Sequence, residues 1–275
     1  MTELLLFASA WAFGGTDACL REARAAPFDG LEAPPPLTLQ DCRALEKTLR
    51  DDGIPYIAEI CTGGSYAPAS SVPEERHWDD FRDQSTRAVE AGARLLTCLA
   101  GSDSWPETQA IDFFGRALDL GRSLGAELSF ETHRSRPTFH PWATGRFLHA
   151  LPELRLTCDL SHWCVVCERL VDDDAVLSLV LSRATHLHAR VGYAQGPQVP
   201  DPRAPEYAVE LAAHESWWRR AWTAARDRAS PSVTMTPEFG PDGYLQHTPF
   251  TKTPAADLGE VNRWMAGRLR AEFGD

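Results

Sequence analysis

The sequence predicts a (β/α)8 TIM barrel, one domain over residues 1–275. Three observations lead there. Eight strand-like runs alternate with helical patterns along the whole length, which argues for a parallel sheet that eight repeats can close into a barrel. The length of 275 residues suits that fold, for which about 250 is usual. The connections are also asymmetric. Returns from helix to strand are short (Gly125-Ala126, Leu151-Pro152-Glu153, Arg183-Ala184), whereas the segments after strands are long and rich in Gly, Pro and polar residues (33–37, 61–72, 101–106, 133–142 and 192–207). In a barrel the loops after the strands build the site, so insertions gather there.

The elements follow in order. Residues 4–13 are apolar, lack a cationic start and follow Glu3, so they open a first strand and not a signal peptide. The first helix, around 17–25, is short and rich in Ala and Arg. Strands two and three, 30–33 and 56–61, carry Glu32 and Glu59 at their ends. A helix at 74–91 places Trp78, Phe81, Ala88 and Val89 on one face; strand four is 95–100. Another at 107–124 aligns Ile111, Phe114, Leu118 and Leu124 before strand five, 127–133. Strand six is 154–159, and the helix at 172–184 aligns Leu177, Val180, Leu181 and Ala184. Strand seven, 186–191, is followed by a long loop and a long helix carrying Trp217, Trp218 and Trp222, which read as core or as a subunit interface of a homo-oligomer. Strand eight, 233–239, precedes a last helix with Leu258, Val261, Met265 and Leu269 on one face.

Composition excludes several classes. A net charge of -12 argues against the basic face that a nucleic-acid binder presents, and no run approaches the roughly 20 apolar residues of a membrane span. Seven cysteines, an odd and scattered set, read as reduced thiols of a cytoplasmic protein. Cys164 and Cys167 form one CxxC without the second pair of a structural zinc site, so they read as small buried hydrophobes.

The chemistry gathers at strand ends. LRLTCDLSHW ends its strand in Asp159 with His162 three residues on; ELSFETH carries Glu131 and His133; ATHLHARVG carries His186, His188 and Arg190; SVTMTPEFG carries Glu238. From Glu131 to Asp159 is 28 residues and from Asp159 to His188 is 29, about one strand plus one helix each; the 50 from His188 to Glu238 hold the long loop and helix. Three carboxylates and an imidazole at successive strand ends suit a divalent ion of the manganese, magnesium or cobalt type. His186 and His188 share a face under period-two alternation, and His188 lies nearer the rim.

The motifs SFETH, CDLSHW, HLHARVG and TPEFG resemble those of the xylose isomerase-like TIM barrels, which include ketose 3-epimerases, hydroxypyruvate isomerase, inosose dehydratase and, more distantly, endonuclease IV-type nucleases. The resemblance implies that Glu131, Asp159, His188 and Glu238 hold the metal, manganese before magnesium, cobalt or zinc. It also implies that Glu131 and Glu238 are the catalytic pair handling the proton. His162 would then stand beside the ion as a substrate donor or as a ligand to a second ion.

Arg190, on the face of His188, suits a substrate oxygen or an ion pair with a rim acid. His133, Arg134 and Arg136 form a basic cluster for an anionic substrate or a solvated loop, and Trp11, Phe13 and Trp105 suit walls against a sugar or packing under loops. Departures from the wider group narrow the reading. Glu32 and Glu59 stand where the nucleases have histidines for extra ions, and the only lysines, Lys47 and Lys252, lie off the predicted strand ends where sugar isomerases of the longer type carry a catalytic Lys. The expected function is therefore a metal-dependent isomerase or epimerase of a small sugar or sugar-derived ketone, working through an enediolate. The alternatives are a lyase or dehydratase of a keto-sugar or inosose, and a non-catalytic metal- or sugar-binding protein.

Overall fold

Alternation along a strand divides its side chains between two environments, and in this chain both are closed to water. The computed structural model describes residues 2–241 and 243–274. Its eight parallel strands close into a barrel in chain order: β1 (Glu3–Ser9), β2 (Gly30–Ala33), β3 (Tyr56–Cys61), β4 (Leu95–Leu99), β5 (Glu127–Glu131), β6 (Leu156–Cys158), β7 (Ala184–His188) and β8 (Ser232–Thr236). Every strand expected from the sequence is present, with ends moved by up to three residues. The largest consequence falls at β6, which is three residues long, so Asp159 begins the loop instead of ending the strand.

Leu6, Leu31, Ala58, Leu96, Phe130, Leu156, Leu187 and Met235 belong to one hydrophobic core and are wholly buried or nearly so. The helices that cover them are α1 (Ala10–Phe13), α2 (Thr16–Ala23), α3 (Leu39–Asp52), α4 (Glu74–Glu90), α5 (Glu107–Leu124), α6 (Pro141–Ala150), α7 (Ser161–Val166), α8 (Asp174–Leu181), α9 (Ala208–Asp227) and α10 (Leu258–Phe273). Helices α3 and α6 go beyond the sequence expectations. Thr38 accepts from the Asp41 amide to start α3, which ends at Gly53 with φ of +69°. His140 caps α6 through the Ala143 amide, and Pro141 occupies the first turn, where no amide is needed. Trp217 and Trp218 on α9 are core residues, and Trp222 packs on Phe273 at 5.2 Å.

The barrel interior departs from the branched apolar layers usual in this fold. Thr97, Ser129, Thr157 and Thr185 join in a hydroxyl ladder, with Ser129 Oγ receiving Thr157 Oγ1 and Thr185 Oγ1 at 2.9 Å each and Thr97 bonded to Thr157. Buried hydroxyls are tolerated there because each finds a partner. Between β6 and β7 the register slips: Leu156 pairs with Ala184 but Thr157 pairs with His186. Such a bulge re-aims side chains. It leaves Ala184 and Leu187 in the outer core while His186 and His188 turn inward.

The seven cysteines are free, and Cys164 is buried with Sγ 3.9 Å from His214 Nε2. Among the described residues no helix is long and apolar enough to cross a membrane.

Candidate metal centre and active site

Glu131 and His188 are the last residues of β5 and β7, Asp159 follows β6, and Glu238 lies two residues past β8. Because β6 and β8 stop early, hydrogen bonds from neighbours hold those two acids in place. Thr132 Oγ1 donates to the Asp159 carbonyl at 2.9 Å and accepts from its amide at 2.8 Å. Beyond Glu238, Asn262 of α10 accepts from the Phe239 amide at 3.0 Å and donates to its carbonyl at 2.8 Å. Gln198 does the same for Gly240, accepting at 2.8 Å and donating at 3.3 Å, which gives the long loop after β7 a structural role.

Glu131, Asp159, His188 and Glu238 each offer a ligand atom, and the four atoms lie within 4.8 Å of one another. His188 Nδ1 is buried without a hydrogen-bond partner, yet it stands 3.0 Å from Glu238 Oε2 and 3.5 Å from Glu131 Oε1. Oxygen and nitrogen atoms at that separation around one orphaned nitrogen match the shell of an ion that binds them at about 2.0–2.2 Å. The residues therefore fit the divalent ion expected from the sequence.

Burial disfavours charge on His188, and the carboxylates of Glu238, Glu32 and Glu131 outweigh it, holding the imidazole well above its usual range. Burial pushes the Glu131 carboxyl up to about 7, against the pull of His188. Glu59, on β3, is pushed up to about 8 by burial and by Glu238, Glu32 and Glu131. Nothing in the sequence beyond its strand-end position marked Glu59 as part of this site.

A cavity opens against these groups. Glu59, Glu131, His133, Arg190 and Glu238 line its polar side; Trp11, Tyr66, Leu99 and Tyr244 line the rest. Arg190 is buried, ion-paired to Asp159 and 3.6 Å from Glu238 Oε2, the ion pair with a rim acid that was one of its two expected roles, and it also lines the cavity. Its guanidinium lies 4.8 Å from the Tyr244 ring centre and 5.5 Å from that of Trp11. Trp11 approaches Gly240 so closely that a Cβ there would overlap the indole.

His162 is wholly buried, 3.8 Å from Glu131 and 3.7 Å from Asp159 through Nε2. Arg190 donates to that Nε2 at 2.9 Å, which leaves the proton of the neutral ring on Nδ1. Burial, His133, Arg190 and Arg134 hold His162 well below the usual range. Glu131, His133 and His162 form a second group that could hold an ion. The guanidinium donating to His162 makes it the poorer one, because it competes for the same lone pair and repels a second cation.

Other expected residues fall elsewhere. Trp105 packs at 5.0 Å from His77 and 5.2 Å from Phe113, outside the cavity lining, so packing under the loop is its observed place. Phe13 packs on Phe28. Arg136 is not a solvated loop residue: it is buried and donates to the carbonyls of Thr62, Gly101 and Ser65, tying three loops together.

A closed (β/α)8 barrel with acid and imidazole groups converging at the C-terminal mouth of its strands is the architecture of enzymes that build sites from strand ends. The chain belongs to the xylose isomerase-like TIM barrel family, whose model matches residues 20–201. Among solved structures, D-allulose 3-epimerase from Methylomonas sp. superposes with a TM-score of 0.63 at 11% identity, covering 99% of this chain and 98% of that one. IolI with a bound zinc atom gives 0.68 at 10% identity over 99% of both chains. Endonuclease IV from Thermus thermophilus gives 0.58 at 14% over 98% of both. At these identities the likeness is one of fold. No curated protein sequence matches the chain.

Proposed function

We propose that the protein is a divalent-metal-dependent isomerase or epimerase of a small sugar or sugar-derived ketone. The observation that carries the reading is the convergence of Glu131, Asp159, His188 and Glu238 around the orphaned His188 Nδ1, with two glutamates from different sides of the rim. Fold neighbours that handle small sugars, such as the epimerase solved with D-allulose, support it. Three carboxylates and an imidazole favour manganese among the divalent ions, with magnesium, cobalt and zinc as alternatives.

When bound, the ion supplies a Lewis acid that polarises a carbonyl and an adjacent hydroxyl. The chain's own residues do the rest. Glu131 is buried and lines the cavity, so its carboxylate stands where it can take a proton from a bound carbon and return it. Glu131 and Glu238, from β5 and β8, face a bound carbon from two sides. One removes the proton next to the carbonyl, and the other returns one to the opposite face or the neighbouring carbon of the substrate's enediolate. Arg190 offers a donor to a substrate oxygen, His133, whose Nδ1 proton goes to the Arg134 carbonyl, offers Nε2 as an acceptor for a substrate hydroxyl, and Trp11 and Tyr244 cover C–H faces and keep water out.

The test is exchange in deuterium oxide. Given a panel of ketoses, the metal-loaded protein should place deuterium on the carbon next to the carbonyl and return a product with the formula of the substrate. Glu131→Gln or Glu238→Gln should lower turnover by roughly 10²–10⁴. Deuterium uptake with loss of water or an aglycone would replace the isomerase by a lyase. Absence of exchange in every ketose would leave a binding protein.

A further inference from the structure

Beneath the four ligand residues lies a second layer of charge. Glu32, in β2, is 2% exposed, and its two oxygens meet two imidazoles from β7: Oε1 lies 3.0 Å from His188 Nε2, and Oε2 lies 3.2 Å from His186 Nε2. His186 is fully buried and is itself held at its other nitrogen, with Thr234 Oγ1 2.8 Å from Nδ1; Thr236 Oγ1 is 3.2 Å from Nε2. The chain of contacts thus runs Thr234, His186, Glu32, His188.

We infer that Glu32 and His186 form a buried positioning relay that fixes the tautomer of His188 for a divalent ion. The inference rests on the reading of His188 as a metal ligand. A neutral imidazole has one N–H and one lone pair. With the Glu32 carboxylate facing Nε2, the N–H belongs there, and the lone pair belongs to Nδ1, the atom that the Glu131 and Glu238 carboxylates surround. His186 fills the other oxygen of Glu32 and stops the carboxylate from turning, and the bulge between β6 and β7 puts both imidazoles on the inner face. A carboxylate behind a ligating imidazole also raises its basicity, and loss of such a partner typically weakens metal binding 10–100-fold. Glu32, His186 and His188 are close enough to hold an ion themselves. That reading needs Glu32 as a ligand, and it would leave His188 Nδ1 among carboxylates with nothing to bind.

Titration calorimetry with Mn²⁺ on the metal-free full chain decides it. Wild type should take one ion. Glu32→Gln, isosteric and able to place its amide against His188, should bind Mn²⁺ about 10–100-fold more weakly, measured at a temperature where circular dichroism shows variant and wild type equally folded. His186→Gln should weaken binding less than Glu32→Gln. Imidazole ¹⁵N spectra of the Zn²⁺-loaded wild type need no variant to fold, and they should show His188 with its proton on Nε2 and its metal bond at Nδ1. A Glu32→Gln protein that binds Mn²⁺ as wild type does, a His188 proton on Nδ1, or two ions per chain would each overturn the relay. If wild type takes no ion, the metal centre itself is wrong, and the relay falls with it for that separate reason.

Discussion

At the scale of the residue, Arg190 shows how one side chain serves two neighbours. It holds Asp159 by an ion pair, donates to His162, and still presents its face to the cavity between Trp11 and Tyr244. A planar fork can do this and a lysine ammonium cannot. Arg190→Lys should therefore raise KM for the ketose substrate more than it lowers kcat, measured by steady-state kinetics. Collapse of kcat at unchanged KM would make the guanidinium a transition-state group instead. Some of this residue chemistry was legible beforehand. Glu131, Asp159, His188 and Glu238 stood out because each closes a strand-like run at barrel spacing. Glu32 did not, because a glutamate on β2 acquires meaning only when the barrel closes and brings it against His186 and His188, 154 and 156 residues away. Arg136 departs from its expectation for a related reason: its three carbonyl partners come from loops whose path no local pattern specifies.

At the scale of the element, the segment after β8 is held at three points: by Asn262 at Phe239, by Gln198 at Gly240 and by the Trp11 indole lying over Gly240. The last contact needs a residue with no side chain. Gly240→Ala must displace the indole, an overpacking that costs about 1–3 kcal/mol. The displaced Trp11 opens the cavity beside Glu238, so turnover should fall by more than the loss of stability explains. A variant with the melting temperature and kinetics of wild type would show that the Trp11 wall is dispensable. The sequence carried Trp11 as one of several loop aromatics, and the choice among Trp11, Phe13 and Trp105 depended on loop paths. Phe13 went against Phe28 and Trp105 against His77, whereas Tyr244, which no motif marked, completes the wall.

For the whole molecule, the barrel axis concentrates acid. Glu32, Glu131, Asp159 and Glu238 are buried near one another and Glu59 lines the cavity beside them, with Arg190 and His188 as the facing cationic groups. Glu59 shows what this does to the fold. Its carboxyl is raised from an ordinary 4.5 to about 8, so the folded state holds the proton more tightly than the unfolded chain does. The stability this confers is complete below about pH 4.5 and is lost as pH rises through 8. Glu59→Gln stays neutral throughout. In metal-free protein its melting temperature, relative to wild type, should climb steadily between pH 5 and pH 8. A difference that does not change with pH would place Glu59 in water and remove it from the charged cluster.

The most direct test of the account is the metal content of the purified protein. One divalent ion per chain is expected in the wild type after incubation with manganese and removal of loose ion. Asp159→Asn and Glu238→Gln should each lose most of it, since each removes one of the three candidate carboxylate ligands around His188 Nδ1. Metal content equal to wild type in both variants would contradict the site, and with it the function proposed for this barrel.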